Sequence, residues 1–277
     1  MSCRWALVLG ASIGSGAAIA RRLASDGGLD VIAFHRGNHA EQARALAEAI
    51  EASGRRCMLV EEDAGRLETI PGLVERTGEI LGDERLAIAV HALTGASLGP
   101  VASPVDPAQA LHPRQIARSF DAMAHSFLFW GQELVHQGLF EEGGQLLALL
   151  NYQDEFTPPG FAAIGGVKGA LTAYVRHMAW EFPRHGVRVN AVRFGAADTE
   201  ALRHMPGAEE TLRNIADVSP LGRNIDLDEL GAFVSLLVQD GARGLNGSIL
   251  PFDGGEVAAY LNGMVPFAGR AESTESR

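Results

Sequence analysis

Cysteine is scarce in this sequence. Its two residues, Cys3 and Cys57, exclude a disulfide framework and a thiolate zinc cluster. Two unpaired thiols suit a reducing compartment. Positive charge is also in short supply, with 23 Lys+Arg against 34 Asp+Glu and a net charge of −11. That balance argues against a nucleic-acid or anionic-membrane surface. No apolar run reaches the ~18–20 residues of a membrane span. From Met1 the chain goes straight into an apolar stretch, "WALVLG", without the charged and long apolar regions of a secretory leader. The expectation is a soluble, cytoplasmic protein that binds neither nucleic acid nor membrane. His91, His125, His177 and His204 show no metal-ligand spacing, so no metal site is expected.

What is present is an alternation. Short apolar runs at 5–10, 30–35, 57–63, 86–93, 144–151, 187–194 and 247–255 read as strands. Helix-length segments closed by Gly or broken by Pro lie between them, "RQIARSFDAMAHSFLFWGQELVHQG" being the longest. The strand runs are apolar throughout, which implies burial on both faces in a parallel sheet sandwiched by crossover helices. At 277 residues, with 47% hydrophobic and 21% charged residues, the chain suits one large α/β domain over 1–262 and a polar tail over 263–277. Residues 94–113, rich in Gly, Pro and Ser, form the one long irregular stretch.

"LVLGASIGSGAAIARRLA" sets Gly10, Gly14 and Gly16 at the turn from the first strand into the first helix. Glycines there let backbone approach a pyrophosphate, and the helix start offers free N–H groups to it. A dinucleotide site follows from that context. The end of the second strand, where an acidic residue would bind the ribose 2′-OH of NAD, instead carries His35 and Arg36. A cation pairs with a 2′-phosphate, so NADPH is favoured over NADH. Asp63, in "EEDAG" after the third strand, is placed to accept from the adenine amino group.

From Gly10 to Gly255 the chain resembles the short-chain dehydrogenase/reductase superfamily, and within it most nearly the NADPH-dependent, type III-like enoyl-acyl-carrier-protein reductases. "NAVRFGAADTEALRHMPGAEETLRNIADVSPLGR" and "SILPFDGG" follow that family's substrate-loop, helix and closing-strand pattern. The resemblance implies a Rossmann-type doubly wound parallel sheet of seven strands with three helices on each face. It also implies assembly as a homo-oligomer, a dimer or tetramer. Enoyl reductases carry Tyr seven residues before their active-site Lys, and ordinary ketoreductases carry it four before. Seven before Lys168 stands Phe161, and four before stands Ile164.

Residue by residue, the resemblance implies that Lys168 holds the nicotinamide ribose hydroxyls and that Thr199 contacts the carboxamide or phosphate side of the cofactor. With the glycine loop, the cofactor set becomes Gly10, Ser12, Ile13, Gly14, Gly16, His35, Arg36, Asp63, Ala64, His91, Lys168, Gly195 and Thr199. Phe161 takes the acid's position and is inert there. Met123 stands where the superfamily keeps an asparagine. Val90, His91 and Ala92 replace its Asn-Asn-Ala stretch, Phe194 replaces a small residue or proline, and Ile13 a polar one.

Phenylalanine donates no proton, and a general acid is worth ~10²–10⁴-fold. Ordinary ketone reduction is therefore disfavoured. Conjugate reduction asks less, because charge develops on a thioester enolate oxygen that needs only hydrogen bonding. Tyr152, just after the fifth strand, is the candidate substitute donor. Arg203, His204 and Arg213 are expected on a helix beside the substrate mouth, where an acidic carrier protein could meet them. Three readings stay open: an NADPH-dependent enoyl-thioester reductase acting on coenzyme A or carrier-protein substrates, an enzyme of this fold doing non-redox or substrate-assisted chemistry, and a non-catalytic binding protein.

Overall fold

The computed structural model describes residues 4–203 and 207–261. Cys3, His204 and the tail from 263 lie outside the described residues. Seven strands form one parallel sheet: β1 (Arg4–Leu9), β2 (Asp30–His35), β3 (Cys57–Glu61), β4 (Arg85–His91), β5 (Phe140–Leu150), β6 (Val187–Phe194) and β7 (Ile249–Phe252). Their order is β3-β2-β1-β4-β5-β6-β7, with every neighbouring pair parallel.

The inner strands β1, β2, β4, β5 and β6 are mostly buried on both sides, as their lack of alternation demands, while the edge strands β3 and β7 are partly exposed. In β1, Trp5, Leu7 and Leu9 face one core while Ala6 and Val8 face the other. Helices α1 (Gly14–Ser25), α2 (Ala40–Ala52) and α9 (Leu227–Leu236) cover the second face through Ile19, Leu23, Leu46, Ile50, Leu230 and Val234. Helices α3 (Ile70–Leu81), α5 (Ser126–His136) and α6 (Ala162–Glu181) cover the first. There Trp130, fully buried, packs edge-on against Phe34 at 5.2 Å. Burying side chains of this size contributes about 1.5–3 kcal/mol each.

The long helical stretch over 114–138 differs from expectation. It consists of α4 (Pro113–Phe120), a π-helical turn at Asp121–His125, and α5. A π turn inserts one extra residue into the helical ladder. Here it sets Met123 and Ala124 into the core. The residues expected on one helix beside the substrate mouth fall on two: Arg203 ends α7 (Glu200–Arg203), and Arg213 belongs to α8 (Ala208–Val218). Gly207, in the left-handed region, precedes α8 and prevents one continuous helix.

The sheet order reverses between β1 and β4. Ligands of open α/β sheets bind in the crevice beyond the carboxyl ends of the strands at such a switch point. The glycine turn after β1 sits there.

Candidate active site

The first half of the site is made of backbone. Gly10 has φ 89°, and a Cβ on it would lie 2.9 Å from the Ala92 carbonyl oxygen. A Cβ on Gly16 would come to 2.0 Å from the Gly10 oxygen, so the turn closes only with glycine at that point. Gly14, at φ 61°, has nothing within 4 Å of where its Cβ would be. That open space faces the start of α1, whose N-cap Ile13 gives no side-chain cap and whose first turn carries no acid. The leading N–H groups of α1 are left for an anion. These features fit the pyrophosphate of a dinucleotide, and Ser12 and Ile13 belong to the same turn.

The end of β2, where the adenosine is expected, is mixed in charge. Arg36 is exposed and makes no ion pair among the described residues. His35 is buried, its Nδ1 accepting from the Gly37 N–H at 3.2 Å, so it shapes the turn that presents Arg36. Asp63 Oδ1 accepts from the Gly65 N–H, and the adjacent Ala64 is pinned by the Trp130 indole donating to its carbonyl at 2.8 Å. Two acids that the sequence reading missed lie nearby. Glu61 pairs in register with His35 and stands against Gly37. Glu200 of α7 lies 3.6 Å from His39. The parallel pairing of β2 with β3 could have flagged Glu61; no local signal joins His39 to Glu200.

The expected reacting end is made of side chains. Lys168 is buried on α6 and donates to the Leu149 carbonyl at 2.9 Å. Burial draws its pKa from 10.5 down to about 8, and Asp154 opposes that shift. It is the only lysine in the chain, every other basic side chain of that class being arginine. That count marks Lys168 independently of the motif that named it. His91, at the end of β4, is fully enclosed, with Nε2 2.8 Å from Ser126 Oγ. Because Ser126 Oγ donates to the Ala122 carbonyl, the imidazole N–H is the donor between the two. Burial, then the Lys168 charge, lowers the His91 pKa to about 3, so it is a neutral group beside the ammonium.

Phe161 occupies the N-cap of α6 with no side-chain cap. The preceding Gly160, at φ 83°, accepts from the Gly99 N–H at 3.0 Å, tying the irregular 94–112 segment to the mouth of the site. Tyr152 does not fit the substitute-acid role. Its hydroxyl donates to Asp253 Oδ2 at 2.8 Å, and burial with that carboxylate holds the phenol above its usual pKa. Thr199 caps α7, its Oγ1 accepting from the Leu202 N–H at 3.1 Å. Gly195 has a packing reason to be glycine, since its Cβ would meet Glu256 Oε2 at 2.4 Å. Phe194 is half-buried and packs against the second core.

A buried polar cluster that sequence reasoning also missed lies one helical turn beyond Lys168. Arg193 of β6 donates to Asp154 at 2.7 Å and to Thr172 Oγ1 at 3.1 Å, and pairs with Glu155. Thr172 Oγ1 in turn donates to the Lys168 carbonyl at 2.9 Å. The four-residue spacing from Lys168 to Thr172 was the available signal. Among the described residues no group of three or more His, Cys, Asp or Glu could hold a metal ion, and no helix is long and apolar enough to cross a membrane.

Comparison with known proteins agrees with this fold. Residues 10–256 match the family model described as Enoyl-(Acyl carrier protein) reductase. The chain is 30% identical over 251 residues to 1-cyclohexenylcarbonyl-CoA reductase of Streptomyces collinus, covering 90% of this chain and 85% of that protein. Among solved structures, a putative short-chain alcohol dehydrogenase from Sinorhizobium meliloti superposes with TM-score 0.81 at 25% identity, covering 93% of this chain and 98% of that one. A short-chain dehydrogenase from Burkholderia cenocepacia in complex with NADP gives TM-score 0.78 at 27% identity, over 92% and 98%.

Proposed function

The chain belongs to the short-chain dehydrogenase/reductase family, and we propose that it reduces an activated C=C bond in an acyl thioester, using NADPH in preference to NADH. The thioester would be carried on coenzyme A or an acyl carrier protein. One observation carries the reading: the buried lysine is kept while the hydroxyl seven residues before it is absent, Lys168 with Phe161. That pairing removes the donor a ketone needs and leaves the cation a conjugate reduction can use. The relative from Streptomyces collinus, whose name specifies an unsaturated acyl-CoA, supports the substrate class.

When bound, the reduced nicotinamide supplies the hydride. The chain's own residues bind, orient and hold a proton. Gly10, Gly14, Gly16 and the start of α1 would hold the pyrophosphate, Arg36 the 2′-phosphate, Asp63 the adenine, Lys168 the ribose hydroxyls, and Thr199 the carboxamide side. Phe161 excludes water from the acid's position and donates nothing. Lys168 holds its proton with a pKa near 8, close to working pH, where an acid is most effective. Its positive charge opposes the negative charge that builds on the thioester oxygen.

The test is direct. NADPH fluorescence on titration with the protein should saturate, and crotonyl-CoA or 1-cyclohexenylcarbonyl-CoA should oxidise NADPH while cyclohexanone does not. Absence of saturable binding at millimolar NADPH sinks the reading. Binding without turnover of either thioester moves it to non-redox chemistry on the same fold. Phe161→Tyr should raise the thioester rate about tenfold, within the range of a single general acid.

A further inference from the structure

Lys168 is a buried ammonium with three protons and, among the described residues, one hydrogen-bond acceptor, the Leu149 carbonyl. An unpaired ammonium in an apolar interior costs several kcal/mol, so a charge of this kind persists only beside a counter-charge. The loop after β5 supplies acceptors without donors. Asn151 Oδ1, Gln153 Oε1 and Asp154 Oδ1 are all buried and without a hydrogen-bond partner among the described residues. Asp154 is also held firmly. Its Oδ2 receives Arg193 Nη2 at 2.7 Å, the same nitrogen reaches Thr172 Oγ1 at 3.1 Å, and both side chains of the ion pair are nearly enclosed.

The charged and titratable groups around Lys168 come from three directions. From β4 comes His91, neutral beside it. From the loop after β5 come Asp154 and Glu155, with Tyr152 held on Asp253. From β6 comes Arg193, lying between the two carboxylates and 5.4 Å over the Tyr152 ring. Asp154 is the carboxylate that acts on Lys168, and its second oxygen is open.

We infer that Asp154, clamped by Arg193 and Thr172, is a positioning residue that keeps Lys168 charged in the active site. The clamp fixes one carboxylate oxygen, while the other is buried and has no hydrogen-bond partner among the described residues. Thr172 binds both ends, since its hydroxyl also donates to the Lys168 carbonyl at 2.9 Å. Under the reductase reading, on which its catalytic consequence rests, this keeps the proton available where no tyrosine can supply one. The electrostatic coupling itself does not depend on that reading.

Because the chain has one lysine, protein grown with [ε-13C]lysine gives a single ε-carbon resonance. Its pH titration reads the Lys168 charge without cofactor or substrate. In folded Asp154→Asn the midpoint should fall by about one pH unit or more, the effect of removing an opposite charge at close range. Asp154→Glu should restore the midpoint to near the wild-type value. Glu155→Gln, at a half-exposed position, removes the second anion on Arg193 and should lower the midpoint by less. A role confined to packing would change melting temperature in these variants and leave the midpoint in place. An unmoved midpoint in folded Asp154→Asn overturns the inference; if that variant does not fold, an unmoved midpoint in Glu155→Gln does so. If the midpoint moves but no thioester is reduced, the coupling stands and the reductase reading alone falls.

Discussion

The glycine turn after β1 and the segment from Asn151 to Lys168 lie at the same carboxyl edge of one sheet, yet they have fared differently. The turn retains every feature an anion cradle needs, because the cradle is made of backbone: two glycines in contact with carbonyls, one facing open space, and an uncapped helix start. The segment carries Lys168 with a phenylalanine, Phe161, and no hydroxyl seven residues before it. At Gly16 the backbone geometry tolerates no side chain, since a Cβ there meets the Gly10 oxygen at 2.0 Å. A site made of side chains can change its chemistry one residue at a time while the fold stays the same. Binding and reaction are therefore separable here, and experiments can pull them apart.

Lys168→Met should have the largest effect on reaction. We expect thioester-dependent NADPH oxidation to fall by about 10²-fold or more, measured at saturating cofactor. Stability should move the other way. Folding lowers the ammonium pKa from 10.5 to about 8. Between those values the unfolded chain carries the extra proton, so this group's contribution rises with pH across that window and is lost as pH falls through 8. The variant should thus melt higher than the wild type below pH 8, by no more than about 3 kcal/mol in stability. Its advantage should shrink toward pH 10.5. Calorimetry at several pH values checks the sign, and a pH-independent difference breaks the assignment of a charged Lys168.

On the cradle side, Gly16→Ala and Gly14→Ala form the matching pair. The first forces an overlap with backbone that cannot yield, so NADPH binding should be lost and the melting temperature should drop by about 10 °C. The second meets no neighbour but places a side chain at φ 61°, a cost of about 1–2 kcal/mol. It should fold, with NADPH affinity weakened about tenfold by the methyl group in the open space. Equal effects from the two would mean that the cradle is only a tight turn.

Much of this was legible from residues alone. Seven apolar runs without alternation called for a two-sided parallel sheet, and each run contains a strand, the inner ones mostly buried on both faces and the edge strands β3 and β7 partly exposed. The glycine spacing was equally plain, since φ near 89° and a carbonyl in contact admit one residue type. The parts that stayed hidden depend on pairs far apart in sequence. Arg193 meets Asp154 only because β6 lies beside β5, and Glu61 reaches Gly37 only through the register of β3 on β2. The π turn around Met123 had no local signal either, as its residues also read as plain helix.

Arg36→Ala sharpens the comparison at the far end of the cofactor. Arg36 is an exposed cation on a turn shaped by His35, with Glu61 close by. Losing a charge-assisted hydrogen bond to phosphate costs about 1.5–3 kcal/mol, so KM for NADPH should rise at least tenfold while KM for NADH stays the same. A parallel loss for both cofactors would place Arg36 outside the 2′-phosphate site.

Tyr152→Phe should have the smallest effect, and it bears on whether the reacting end has replaced its lost acid. The hydroxyl lies on Asp253 Oδ2 at 2.8 Å, in a setting that raises its pKa. To serve as an acid it would have to leave a carboxylate, give up a proton it holds more tightly than a free phenol, and recover it each cycle. Asp253 does not depend on it, because Oδ1 also accepts from the Gly255 N–H at 3.0 Å and Oδ2 from the Val257 N–H at 3.2 Å. Removing the hydroxyl should therefore leave kcat and KM within about twofold. It should lower stability by about 1 kcal/mol, the net worth of one hydrogen bond, read as a fall of ~2–4 °C in melting temperature. A hundredfold loss of kcat at unchanged melting temperature would make Tyr152 the acid after all. The reacting end would then have moved its donor instead of losing it.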